Sequence, residues 1–194
     1  MATAKIYDAE LQPTKEEVAA SNSRIVELSG SYRVVDPEDV VGIEVLVGKD
    51  SDDNVVQLAL TYRPAEEALD TELLRMQHSV LGERSVAYLT DDAVAVREII
   101  ATILRGAPGA DFDNGEPIFP VRGNGTSAEA EVSDVEIQDC NGWTSLGTAL
   151  IDGEQHQFQL RIQRFVQDQA AADDDELALV TDSGATLMRL EVWT

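Results

Sequence analysis

The tightest local constraint on this 194-residue chain lies between residues 43 and 62. Ile43, Val45 and Val47 alternate with other residues on one side of Lys49 to Asn54, and Val56, Leu58, Leu60 and Tyr62 alternate on the other. A period of two is the strand period, so the pattern predicts a half-buried β-hairpin with residues 49–54 at its tip. A second periodic segment follows. Ala93, Val96, Ile99, Ile100, Ile103 and Leu104 recur at three and four residues after Thr90, Asp91 and Asp92 and before Arg105 and Gly106. That spacing predicts an amphipathic helix of about four turns with an acidic start and a glycine stop.

Ala4 to Leu11 reads as a strand, Pro13 and Thr14 open a short polar helix ending near Ser21, and Arg24 to Val35 reads as a strand broken by Asp36 and Pro37. From Gly106 to Gly125 glycine and proline dominate, which places a boundary between residues 1–105 and 106–194. Beyond it, Glu129 to Gln138, Gly142 to Ile151, Gln155 to Val166 and Leu187 to Trp193 read as strands, with an acidic loop from Ala170 to Glu176. The predicted fold is α+β, a curved antiparallel sheet with an amphipathic helix followed by a β-rich second half.

Charge narrows the function. Fourteen basic residues against thirty-seven acidic ones give a net charge of −23, which repels nucleic-acid phosphates and anionic lipid. No basic segment leads into an apolar run and no stretch of about eighteen apolar residues occurs, so neither membrane nor nucleic acid is an expected partner and the expected location is cytoplasmic. One cysteine, Cys140, and two histidines, His78 and His156, are too few for a zinc cluster, and no metal or other cofactor is expected.

Several polar groups have a chemical and a plain reading. Asp50, Asp52 and Asn54 match the first ligands of a calcium loop, but Val55 and Thr61 stand where glycine and glutamate are needed, so a hairpin tip is expected. Asp111, Asp113, Asn114, Gly115 and Glu116 could hold a divalent ion if their loop were ordered, but such sequences are more often solvated turns, which is the expectation. Arg122 to Ser127 offers backbone donors and a cation for phosphate, yet an expected strand follows it, which favours an ordinary turn. His156 is expected at the end of an apolar strand face, Cys140 at a turn, and Trp143 and Trp193 in packing roles. The candidate ligand-binding residues are Arg63, His78, Ser79, Arg84, Arg122 and Asn124, where cations and hydrogen-bonding side chains could meet a sugar phosphate. No catalytic residue is assigned.

The stretch from Ala4 to Lys15, with Val41-Gly42-Ile43-Glu44, Leu58-Ala59-Leu60-Thr61-Tyr62-Arg63 and His78-Ser79-Val80-Leu81-Gly82-Glu83-Arg84, resembles the N-terminal cap domain of maltokinases in order and spacing. Val121-Arg122-Gly123-Asn124-Gly125-Thr126 resembles the second half of free-standing, cap-like actinobacterial proteins of this length. The chain departs from the family between Lys15 and Arg24 and from Ser85 to Asp92, where tryptophan-containing segments are replaced. The resemblance implies a mixed α+β cap that stands beside a kinase lobe, with ATP and sugar handled elsewhere. Neither histidine is followed by Arg-Asp, and no Walker glycine-lysine or Asp-Phe-Gly motif occurs. The expected function is a noncatalytic cap-like module that binds or regulates a kinase or another enzyme of glucan, trehalose or maltose metabolism. The alternative is a binding protein for a sugar or sugar phosphate, or a remnant enzyme.

Overall fold

The computed structural model describes residues 2–166 and 176–194, so Asp173, Asp174 and Asp175 of the expected acidic loop lie outside the described residues. The first half runs β1 (Thr3–Ala4), β2 (Leu11–Gln12), α1 (Lys15–Asn22), β3 (Glu27–Val35), β4 (Gly42–Lys49), β5 (Val55–Pro64), β6 (Leu74–His78), β7 (Gly82–Tyr88) and α2 (Ala93–Arg105). The second continues with β8 (Asp111–Phe112), β9 (Val121–Gly123), β10 (Val132–Asn141), β11 (Thr144–Ile151), β12 (Glu154–Ile162), β13 (Leu177–Thr181) and β14 (Thr186–Trp193). The fold is α+β and rich in strand, with a curled first sheet.

That first sheet is antiparallel with the order β2, β6, β7, β5, β4, β3, and the second follows β10, β11, β12, β14, β13, β9. β1 pairs in parallel with β8. The expected strand from Ala4 to Leu11 is thus only its two ends, and residues 5–10 between them pair with no strand among the described residues.

The expected hairpin forms as β4 and β5, but it is not half buried: Ile43 through Val47 are all nearly inaccessible. The reason is two cores, one on each face. Leu46, Leu58 and Leu60 pack with Val18 and Ala19 of α1, while Ile43, Val45, Val47 and Ala59 pack with α2 and with Phe158, Leu160 and Met188 of the second sheet. Polar positions on the second face are absorbed by hydrogen bonds. Gln57 accepts from the Tyr32 hydroxyl at 2.8 Å and donates to the carbonyls of Gln163 and Leu187 at 2.7 and 2.8 Å, tying the two sheets together through a buried amide.

Both helices are capped as their sequences dictate. Thr14 and Glu17 close a capping box on α1. Asp92 caps α2 by accepting from the N–H groups of Val94 and Ala95, and Gly106 ends it in a left-handed conformation. α2 lies between the sheets, and Ile99, Ile100 and Ile103 are fully buried. Each such side chain contributes about 1.5–3 kcal/mol through removal from water. The carbonyls at the end of α2 then receive donors from the following connector: Gly125 and Ser127 donate to Ile103 and Leu104 at 2.9 and 3.0 Å. This close approach requires glycine, because a Cβ at 123 or 125 would overlap the helix backbone.

Candidate functional site

Alternation places Arg33, Glu44, Tyr62, Arg84, Met76 and His78 on one face of the first sheet, as its register shows: Arg33 lies opposite Glu44, Met76 opposite Arg84, and Tyr62 opposite Gly42. α1 covers only the part of this face around Leu46 and Leu58. Over the remainder passes the N-terminal segment, pinned at one end by Asp113, whose carboxylate accepts from Ile6 N–H at 2.7 Å, and at the other by Ser79, whose hydroxyl accepts from Glu10 N–H at 2.9 Å. Between segment and sheet is a cavity of about 410 Å³. Its size falls within the range of small-molecule sites, about 300–1,000 Å³.

Glu44 is the electrostatic centre of this cavity. Its side chain is 1% exposed, and its Oε1 accepts from Lys15 Nζ at 2.8 Å, Ser31 Oγ at 2.8 Å and Arg33 Nε at 3.3 Å. Burial alone would raise the carboxyl pKa, but the charges of Arg33 and Lys15 and the hydrogen bonds from Lys15 and Ser31 outweigh it and hold the group at about 2. Glu44 is therefore a carboxylate throughout the physiological range. Its Oε2 and the Tyr62 hydroxyl are both buried without a hydrogen-bond partner among the described residues. Burial pushes the Tyr62 hydroxyl well up, and the nearby Glu44 charge pushes it further, although the two groups do not meet hydrogen-bond geometry.

His78 sits diagonally across from Arg84 and packs edge-on against the Tyr7 ring, with centroids 5.6 Å apart. Its Nδ1 accepts from the N–H groups of Val80 and Leu81, which leaves the proton on Nε2. Burial lowers the imidazole pKa and the Arg84 charge lowers it further, so His78 is a neutral donor. Arg84 donates to the Tyr62 carbonyl at 3.2 Å and forms no ion pair among the described residues. Its pKa is lowered by burial, opposed by Glu66.

Of the six candidate residues, the structure brings His78 and Arg84 to the cavity, while the Ser79 hydroxyl is taken up by Glu10 N–H of the N-terminal segment. The other three lie elsewhere. Arg63 points to the opposite face, where its guanidinium grips both oxygens of the buried Asp92 at 2.7 Å. Arg122 is exposed on β9 of the second sheet. Asn124 accepts from Ala178 N–H at 2.8 Å and donates to the Glu176 carbonyl at 2.7 Å, extending the β9 edge beyond its last residue. The phosphate reading of the surrounding loop loses its donors, since Gly123, Gly125 and Ser127 spend their N–H groups on Ala107, Ile103 and Leu104. Asp50 likewise turns inward, accepting from Asp52 and Asn54 N–H at 2.9 and 3.0 Å to close the hairpin tip. Among the described residues no group of three or more His, Cys, Asp or Glu side chains is placed to hold a metal ion, and no helix is long and apolar enough to cross a membrane.

The cavity residues that the sequence did not single out are Lys15, Arg33, Glu44, Tyr62 and Tyr7. Glu44 carried one usable signal. It shares a face with Leu46 in a strand otherwise apolar, and a lone carboxylate at such a position is buried only when it is paired.

These features define a β-rich α+β chain whose first sheet carries a polar cavity on one face and a helix-filled core on the other. Residues 14–94, from the cap of α1 through β7 to the first turn of α2, match the family model of the maltokinase N-terminal cap domain. The resemblance noted in the sequence is thereby shown over this stretch, and the match is to the cap alone, without the kinase catalytic region. No curated protein and no solved structure matches the chain.

Proposed function

We propose that this chain is a noncatalytic cap-like module that binds or regulates a partner enzyme of glucan, trehalose or maltose metabolism. The observation that carries the reading is the match of residues 14–94 to a maltokinase cap with none of the kinase motifs elsewhere in the sequence. Exposed Val80 and Leu81 at the turn between β6 and β7 lie within the matched stretch and offer an apolar contact. The test is titration of the purified chain into a maltokinase catalytic region lacking its own cap, followed by calorimetry and by sugar phosphorylation at two salt concentrations. A complex that survives high salt, with altered kinase activity, supports the proposal, because packed interfaces persist where charge contacts are screened. No complex and no change in rate at either salt concentration sinks it. ATP-dependent sugar phosphorylation by the chain alone would overturn its noncatalytic character.

A second reading, small-molecule binding, is favoured by one observation: His78 and Arg84 meet Lys15, Arg33 and Glu44 around a single cavity.

A further inference from the structure

The cavity on the first sheet has unequal chemical ends. At one end stands Glu44, whose fixed charge and unpartnered Oε2 accept hydrogen bonds and cannot donate any. A ligand group placed there must bring a donor. Beside it the buried Tyr62 hydroxyl, also unpartnered, can both donate and accept. At the other end are Arg84, with no ion pair among the described residues, and the Nε2–H of neutral His78. A ligand group placed there must bring an acceptor, and one with negative charge gains most from the guanidinium.

The charge balance favours the same polarity. Lys5, Lys15, Arg33 and Arg84 line the cavity of a chain whose net charge is −23. Of the acidic residues on the lining, Asp36 directs its oxygens to the N–H groups of Glu38, Val40 and Val41, and Asp39 lies exposed. Glu44 offsets part of the positive charge through Lys15 and Arg33, whereas Lys5 and Arg84 form no ion pair among the described residues, Arg84 feeling the charges of Glu66, Glu67 and Asp39 only at longer range. The ring of Tyr7 also lines the cavity and carries Lys5 Nζ 4.8 Å from its centroid, which keeps a second cation beside the site.

We propose that this cavity binds a small polyol carrying one anionic group, with the anion against Arg84 and His78 and a hydroxyl donating to Oε2 of Glu44. This rests on the small-molecule reading above and adds the ligand class. A neutral sugar leaves Arg84 unanswered, and inorganic phosphate at the Arg84 end leaves Oε2 of Glu44 without a donor.

The experiment is calorimetric titration of the full chain with glucose 6-phosphate, gluconate, glucose and inorganic phosphate. The expected result is that glucose 6-phosphate or gluconate binds at least about tenfold more tightly than glucose or inorganic phosphate, the cost of one unmet charged hydrogen bond. Which of the two binds more tightly identifies the anion as phosphate or carboxylate. Arg84→Gln is expected to weaken that ligand about tenfold or more and to leave glucose unaffected, and Tyr62→Phe, which keeps the ring, to weaken it less. Glu44→Gln is informative only if its circular dichroism matches wild type; the Arg84 and Tyr62 variants carry the test if it does not. Binding of glucose as tight as that of glucose 6-phosphate and gluconate overturns the ligand class and leaves the small-molecule reading standing. No binding of any probe, with the NMR signals of His78 and Tyr62 unmoved by all four, overturns both.

Discussion

Replacing Asp92 with alanine removes two functions of one buried carboxylate. The first is the N-cap of α2, whose loss costs about 1 kcal/mol. The second is the partner of Arg63, which is 14% exposed and holds both Asp92 oxygens at 2.7 Å. Breaking a buried pair and leaving one charge behind costs about 3–5 kcal/mol, and the residual access of Arg63 to water places this case at the lower end. The two losses share a side chain and overlap, so about 4 kcal/mol is expected for Asp92→Ala. At roughly 2–4 °C per kcal/mol for a chain of this size, Tm should fall by about 8–16 °C. Asp92→Asn keeps a capping oxygen and isolates the charge term, and should cost less. Urea unfolding at pH 7 provides the measurement, with far-UV circular dichroism reporting the whole chain and the emission of Trp143 and Trp193 reporting the second sheet. A cost below about 1 kcal/mol, or an Arg63→Met cost that is the same with and without Asp92, would refute the assignment of Arg63 to the helix start.

Glu44 predicts a pH dependence with a definite sign. Its folded pKa of about 2 lies below the ordinary 4.5, so its stabilisation is present above pH 4.5 and is lost as pH falls toward 2, roughly 3 kcal/mol in all. Urea midpoints taken from pH 6 to pH 2 should therefore fall more steeply in wild type than in Glu44→Gln; parallel profiles would contradict the pairing. Gly123→Ala is expected to cost about 1–3 kcal/mol through overlap with the end of α2, read as a drop in Tm, and an unchanged Tm would mean that the helix end is not packed against this loop. Burial, helped by Asp91 and Asp139, pushes the Cys140 thiol from 9.0 up to about 11, so native protein at pH 7.5 should react with iodoacetamide about tenfold more slowly than an unperturbed cysteine, the smaller thiolate fraction being partly offset by greater nucleophilicity, and comparable rates would show that the thiol is not shielded.

How much of this was legible depends on whether the signal was local. α2 could be read because its apolar spacing, Asp92 and Gly106 all sit within one segment, and β4 and β5 because each alternates by itself. Burial on both faces of that hairpin was not legible. Gln57 and Thr61 look like solvent positions on β5, and only partners about a hundred residues away, at Gln163 and Leu187, make Gln57 an interior residue. β6, β7 and β13 escaped because Leu74–His78 and Gly82–Tyr88 mix charge with apolar residues, while Leu177–Thr181 is short and unbroken in its hydrophobicity. Cys140, expected at a turn, is the last but one residue of β10, beside the Gly142–Trp143 turn that the Asn141 side chain braces by accepting from Trp143 and Thr144 N–H. His156 does lie partly buried on the same face of β12 as Phe158 and Leu160. At the cavity, residues close in sequence such as His78, Ser79 and Arg84 could be grouped, whereas Lys15, Arg33 and Glu44 converge only through strand order.

The order of the second sheet carries a consequence for how the chain is made. β14, the last strand, is interior, with β12 on one side and β13 on the other. About eighty residues separate the end of α2 from Thr186, which is roughly 4–16 s of ribosomal synthesis at about 5–20 residues per second. For that interval Ile99, Ile100 and Ile103 lack the complete layer that finally encloses them, and over its last part Phe158 and Leu160 have one neighbouring strand instead of two. The newborn chain therefore passes through a stage with this apolar surface open to capture by chaperones or by other nascent chains, and the arrival of residues 186–193 closes it.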